Sequence, residues 1–138
     1  MNTYRNHLSI LLVDDAELIT NRIVRLVKEN GIPHTMRVAA TSADAKKLFD
    51  SGDYDTVILD IQLPDKSGMD LLRYLKKHPF SPKTIVMTNK ATRHYRRECR
   101  VLGSDYFIDK SVEFERIPVL LHEISKAYDA QAAGFSEN

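Results

Sequence analysis

Short apolar runs alternate with helical patterns five times along this chain of 138 residues, and no other feature restricts its fold as much. Strands that are buried on both faces appear as continuous apolar runs. Strands joined through helices lie parallel, because right-handed crossovers permit little else. We therefore predict an α/β fold, a doubly wound parallel sheet of five strands with five helices. The predicted strands cover residues 8–13, 35–40, 55–60, 83–88 and 106–108, and the last helix ends at residue 128.

Length and composition indicate one compact domain. Apolar residues make up 43% of the chain, enough for a core, and 28% of the residues are charged. We assign residues 8–129 to the domain, 1–7 to an N-terminal extension and 130–138 to a disordered tail. The net charge of +1 argues against a global attraction to nucleic acid or to an anionic membrane.

The sequence contains no recognisable membrane or secretion signal. Its longest apolar stretch, Ile10–Val13, is too short to span a bilayer, and the first residues are polar. The single cysteine, Cys99, excludes an intramolecular disulfide and a multi-cysteine zinc site. It shares a helix face with Tyr95 and Leu102, which predicts a small core residue. We expect a soluble cytoplasmic protein.

Polar side chains stand where the apolar runs stop. Asp14 and Asp15 follow the first predicted strand, Asp60 ends the third, Thr88 ends the fourth and Lys110 follows the fifth. In a doubly wound sheet these carboxyl ends form the ligand-binding edge. Three carboxylates brought together would repel one another without a cation, and oxygen ligands suit Mg²⁺. A carboxylate nucleophile, a metal, a lysine and a hydroxyl are suited to phosphoryl transfer.

Each of these residues also has an ordinary interpretation. A single aspartate after a strand is usually a turn former or a helix cap, and Thr88 alone would be a capping residue. Lys110 alone would be an exposed lysine. Only their joint occurrence at the ends of several strands favours a functional site.

The chain resembles the receiver domains of two-component response regulators, a flavodoxin-like fold. The resemblance covers about residues 8–128, and its four motifs occur in the family's order and at its usual intervals. The motifs are Leu11–Asp15, Val57–Gly68, Ile85–Thr88 and Gly103–Lys110.

The resemblance implies that Asp60 is the phospho-acceptor. Asp15 and Asp60 would bind Mg²⁺ directly, the backbone carbonyl of Gln62 would be a third protein ligand, and Asp14 would act through a water molecule. The phosphoryl donor would be a sensor histidine kinase or a histidine phosphotransfer protein. The domain would catalyse only its own phosphorylation and dephosphorylation, so we do not class it as an enzyme.

The resemblance also implies a switch. Thr88 and Lys110 would contact the phosphoryl oxygens, and Phe107 would be the aromatic residue that moves with Thr88. The face built from the fourth helix, fifth strand and fifth helix would then bind a downstream protein. Gln62, Asn89 and Lys90 occupy positions that tune the rates.

Two positions depart from the family's pattern. Ser111 replaces the proline that usually follows the lysine, so we expect a freer loop there. Asn89 replaces a small residue and would narrow access to the phosphoryl group.

Two other functions compete with a phosphorylated switch. A pseudo-receiver would keep the fold as a protein-binding module without phosphorylation. An aspartyl-phosphate phosphatase usually carries a second aspartate two residues after its nucleophile, where this chain has Gln62. The basic fourth helix is either a solvated face or a site for an acidic protein, and we consider direct binding of nucleic acid unfavoured.

Overall fold

The computed structural model describes residues 7–136, with side chains as far as residue 131. Five parallel strands form one sheet in the order β2-β1-β3-β4-β5, which confirms the predicted fold class. The strands are β1 (Leu8–Val13), β2 (His34–Ala39), β3 (Thr56–Asp60), β4 (Lys83–Thr88) and β5 (Tyr106–Asp109). The helices are α1 (Glu17–Glu29), α2 (Ser42–Ser51), α3 (Gly68–Lys76), α4 (Arg93–Val101) and α5 (Ile117–Ser136), which a 3₁₀ turn (Phe114–Arg116) precedes.

The central strands contribute to two apolar cores, one on each face of the sheet. In β1, Ile10 and Leu12 pack into the core that includes α1 and α5. Leu11 and Val13 point the other way, into the core that includes α2, α3 and α4. Because successive side chains of a strand face opposite sides, a strand covered by helices on both faces must be apolar throughout. This explains the continuous apolar runs.

The observed boundaries differ from the predicted ones mainly in the last helix. We predicted that the last helix ends at Tyr128 and that a disordered tail begins at residue 130, but α5 continues to Ser136. Alanine and glutamine, common between residues 130 and 133, are strong helix formers, which accounts for the extension. The expected N-terminal extension lies outside the described residues except for His7. No helix among the described residues is long and apolar enough to cross a bilayer.

The sheet places the ends of β1 and β3 side by side. Strand β1 has β2 on one side and β3 on the other, so the direction of winding reverses there. Val13 pairs with Leu59 in the parallel register, and the next residues along the chain are Asp14 and Asp60. The polar residues that follow these two strands therefore converge at the topological switch point.

Candidate functional site

Three carboxylates meet at this edge of the sheet. One oxygen from each of Asp14, Asp15 and Asp60 lies within 4.8 Å of the others. Asp14 and Asp60 are buried, with 1% and 4% of their surface exposed, whereas Asp15 is exposed. Because buried like charges repel strongly, this arrangement needs compensating positive charge.

Lys110 supplies part of that charge. Its Nζ donates a hydrogen bond to Oδ2 of Asp60 over 2.8 Å and forms an ion pair with Oδ2 of Asp14 at 2.7 Å. The contact with Asp14 is an ion pair, and this buried oxygen accepts no hydrogen bond from any described residue. The other oxygen of Asp14 accepts the amide of Ala16 at 2.8 Å.

Burial has the largest effect on the pKa of Asp60. Desolvation raises the pKa of Asp60, and it outweighs the hydrogen bonds from Lys110 and from the Gln62 amide. Desolvation also acts to lower the pKa of Lys110. Its close contacts with the carboxylates of Asp14 and Asp60 prevail, however, and hold that pKa above the usual value. The lysine is thus kept as a cation beside a carboxylate that has lost much of its hydration.

The donor set fits a divalent metal ion. Three carboxylates against one ammonium leave the cluster two charges short of neutrality, and all available ligand atoms are the oxygens that Mg²⁺ prefers. The buried oxygen of Asp14 that contacts Lys110 accepts no hydrogen bond from a described residue, and a role of Asp14 through metal-bound water stays a prediction. Direct ligation by Asp15, Asp60 and the carbonyl of Gln62 stays a prediction.

Thr88 lies at the same edge, one strand further on. It follows Met87, the residue that pairs with Asp60, and it is fully buried. Its hydroxyl accepts the amide of Lys90 at 3.0 Å, and its carbonyl accepts the amide of Lys110 at 2.9 Å. Since a hydroxyl can accept one hydrogen bond and donate another, the O–H of Thr88 remains available to donate to a further group. Asn89 and Lys90 are exposed beyond it.

Phe107 lies apart from the carboxylates. Its ring is half-buried on β5, and the guanidinium of Arg96 on α4 sits 4.9 Å from the ring centroid. Arg96 also forms an ion pair with Glu113 at 3.3 Å. Any movement of the ring must therefore break its contact with Arg96 or carry that side chain along.

The loop after Lys110 is held in place, although we expected it to be freer without proline. The amide and hydroxyl of Ser111 both donate to the carboxylate of Asp109, at 2.9 and 2.6 Å. Glu113 accepts the Asp109 amide at 2.8 Å. These hydrogen bonds lower the pKa of Asp109 and of Glu113. Asp109 and Glu113 were not among the predicted site residues. Asp109 could have been recognised as a turn former, because it stands two places before a serine.

The loop after Asp60 is a tight hairpin. The Gln62 amide donates to Oδ1 of Asp60 at 2.9 Å, Gln62 pairs with Ser67, and the Gly68 amide donates to the Ile61 carbonyl at 2.8 Å. Gln62 itself is exposed. Its backbone is thereby held next to the predicted phospho-acceptor.

Comparison with known proteins agrees with this geometry. The family described as "Response regulator receiver domain" matches residues 10–122. The aerobic respiration control sensor protein ArcB of Escherichia coli is 35% identical over 127 residues, which are 90% of this chain and 16% of that protein. The transcriptional regulatory protein DltR of Streptococcus agalactiae is 28% identical over 78% of this chain and 47% of its own length. The chain thus spans about half or less of these relatives.

Solved structures share the fold. The signal receiver domain of a putative LuxO repressor protein from Vibrio parahaemolyticus has a TM-score of 0.83 at 21% identity, covering 92% of this chain and 96% of that one. A CheY-like receiver domain protein from Methanospirillum hungatei has a TM-score of 0.75 at 26% identity and covers 92% and 98%. The sheet order, the acidic edge and the match over residues 10–122 lead to one assignment: the chain belongs to the receiver domain family of two-component response regulators.

Proposed function

We propose that this receiver domain is a phosphorylated switch that takes a phosphoryl group onto Asp60 in the presence of Mg²⁺. The observation that carries the proposal is the buried Asp60 carboxylate, which shares an acidic cluster with Asp14 and Asp15 and binds Lys110 at 2.8 Å. A pseudo-receiver has no need for buried like charges, which are costly to retain. Signalling by phosphorylation is general in this family.

The donor would be a phosphohistidine on a kinase or a phosphotransfer protein. A carboxylate oxygen of Asp60 would form a bond to phosphorus as the bond from phosphorus to the imidazole nitrogen breaks. That nitrogen keeps the electron pair and takes a proton from solvent. Bound Mg²⁺ would neutralise charge on the transferring group.

The residues of this chain would do the positioning. Lys110, which is hydrogen-bonded to Asp60, would shift its ammonium group to contact a phosphoryl oxygen. The Thr88 hydroxyl would turn from the Lys90 amide toward the same group. Phe107 would then move into the vacated space, which changes the face formed by α4, β5 and α5. Local charge would thereby bias a packing equilibrium.

That face is suited to a protein partner with acidic residues. Helix α4 presents exposed arginines, and it carries a single acidic residue, Glu98. Electrostatic complementarity would speed encounter with such a partner. The arginines on this helix are Arg93, Arg96, Arg97 and Arg100.

The test is phosphorylation by acetyl phosphate, followed by intact-mass spectrometry. With Mg²⁺ the wild-type protein should gain the mass of one phosphoryl group, whereas Asp60→Asn and wild type with excess chelator should gain none. Asp70→Asn is a matched control, because Asp70 is an exposed aspartate whose ion pair is with Arg73 on the same helix. A wild-type protein that stays unmodified would favour the pseudo-receiver, and turnover of an external phosphate ester would favour the phosphatase.

A further inference from the structure

We propose that Asp65 is a positioning residue for the metal site, an inference that rests on the proposed function. Its carboxylate accepts the backbone amides of Ser42 at 2.9 Å and Ala43 at 3.0 Å, the first two residues of α2. Asp65 belongs to a different element, the hairpin between β3 and α3 that follows Asp60. One side chain therefore fastens the hairpin to a neighbouring helix.

The contact holds the part of the hairpin that is otherwise least attached. The base is fixed by the Gln62–Ser67 pairing and by the bond from Gly68 to Ile61. The structure describes two hydrogen bonds between the apex, residues 63–66, and the rest of the chain, and the Asp65 carboxylate accepts both. Leu63 adds a partial apolar contact with the core. Without the Asp65 carboxylate, the apex would be held only by the apolar contact of Leu63.

The link completes a ring of bonded residues that runs from Asp14 to Asp60 and closes through the pairing of β1 with β3. From Asp14 the ring passes to Ala39, whose carbonyl accepts the Asp14 amide at 3.0 Å, and then along the chain to Ser42. The hydrogen bond from the Ser42 amide to Asp65 continues the ring into the hairpin, and the chain then leads back from Asp65 to Asp60. A closed ring resists changes in the separation of Asp14 and Asp60 more than two independent loops do. It also restrains Gln62, whose carbonyl is a predicted ligand.

Charge adds to the geometry. A carboxylate at a helix N-terminus interacts favourably with the exposed amides and with the helix dipole. The Ser42 amide is the main reason that the pKa of Asp65 lies below its usual value. The Asp65 carboxyl group is therefore ionised, and keeps this contact, at the neutral pH where Mg²⁺ would be bound.

The experiment compares magnesium affinity with stability in three variants of the full chain. Asp65→Ala removes both acceptor oxygens, and Asp65→Asn keeps one of them while removing the charge. Thr41→Ala is the matched control: the Thr41 hydroxyl caps the same helix through the Asp44 amide at 3.1 Å, and no hydrogen bond described for it reaches the hairpin. Titration of amide NMR spectra with MgCl₂ gives the affinity, and urea unfolding in chelator gives the stability.

We expect Asp65→Ala to weaken magnesium binding about tenfold, the low end of the effect of residues that orient metal ligands. Asp65→Asn should lie between Ala and wild type, and Thr41→Ala should lose stability while binding magnesium like wild type. Unchanged affinity in Asp65→Ala would overturn the inference, as would equal loss in Thr41→Ala. An equal loss of magnesium affinity in Asp65→Asn and Asp65→Ala would assign the effect to the negative charge of Asp65 and not to its position, and would also overturn the inference. A wild-type protein that binds no magnesium would instead refute the proposed function.

Discussion

Replacing Gly68 with alanine should disrupt the site through the backbone. Gly68 begins α3, and a Cβ atom there would lie 2.4 Å from the carbonyl oxygen of Asp60 and 2.5 Å from Cα of Ile61. Both neighbours are main-chain atoms of the predicted phospho-acceptor and the residue after it. Neither can rotate away, so the hairpin itself must move.

The size of the effect follows from the overlap. Real Cβ contacts essentially never fall below 3.0 Å, so a separation of 2.4 Å requires a shift of about 0.6 Å. Overpacking costs about 1–3 kcal/mol, and we expect the upper end because the nearest obstacles are all backbone atoms. Displacement on the scale of 1 Å can reduce catalytic rates by about 100-fold. Gly68→Ala should therefore lose about 3 kcal/mol of unfolding free energy and most of the phosphorylation rate.

Gly52→Ala provides the control, since it is the same substitution at a site far from the acidic edge. Its Cβ would meet the Tyr54 ring at 2.9 Å and the Leu48 carbonyl at 3.3 Å, and a half-buried ring can turn aside. Urea unfolding should show a loss of about 1 kcal/mol or less for this variant. Its phosphorylation by acetyl phosphate should match that of wild type.

Two outcomes would contradict the expected effect of Gly68→Ala. If Gly68→Ala unfolds within about 0.5 kcal/mol of wild type, the range of neutral surface changes, the close approach does not constrain the hairpin. Normal phosphorylation of such a variant would show further that Asp60 is not positioned by this contact. An equal loss of phosphorylation in Gly52→Ala would mean that general destabilisation, and not local geometry, governs the rate.

Three further predictions concern single side chains. Lys110→Met should destabilise the protein by about 3 kcal/mol in chelator by leaving two buried carboxylates unpaired, and Mg²⁺ should recover part of the loss in urea unfolding; equal stability with and without the ion would contradict it. Burial raises the pKa of Cys99 to about 11, so alkylation at pH 8 should be slow until urea unfolds the protein; rapid labelling of the folded protein, followed by intact mass, would disprove a core thiol. The pKa of Glu113 lies below its usual 4.5, chiefly through the Asp109 amide, so its contribution is present above pH 4.5 and disappears as pH falls through the lower folded value. The stability difference between wild type and Glu113→Gln should accordingly shrink in acid, and a pH-independent difference in urea unfolding would exclude this titration.

The fold could be predicted because burial leaves a direct mark on the sequence. Strands β1, β3 and β4 are covered on both faces and are continuous apolar runs, and Asp14, Asp15 and Asp60 stand where β1 and β3 stop. The register of the parallel sheet then brings the acids together without further information. The bounds of edge strand β2 were predicted less accurately, because only Ala39 of its six residues is buried and marks the sequence.

The supporting contacts could not be predicted in the same way. Asp65 bonds to amides 22 and 23 residues away, and no local spacing signals a helix cap supplied by another loop. Arg96 reaches Glu113 across 17 residues through the packing of α4 against β5. Such pairs depend on where complete elements lie, which only the assembled sheet determines.

The two ion pairs of Lys110 indicate how phosphorylation of Asp60 would change contacts elsewhere in the domain. Its Nζ is shared between Asp60 and Asp14, so a new phosphoryl oxygen would compete with Asp14 for the same cation. Asp14 is one hydrogen bond from the Ala16 amide at the start of α1. Thr88 is likewise one hydrogen bond from Lys90, just before α4. Phosphorylation of Asp60 would thus act on two helices through separate short chains of contacts, and loss of one chain should leave the other responsive.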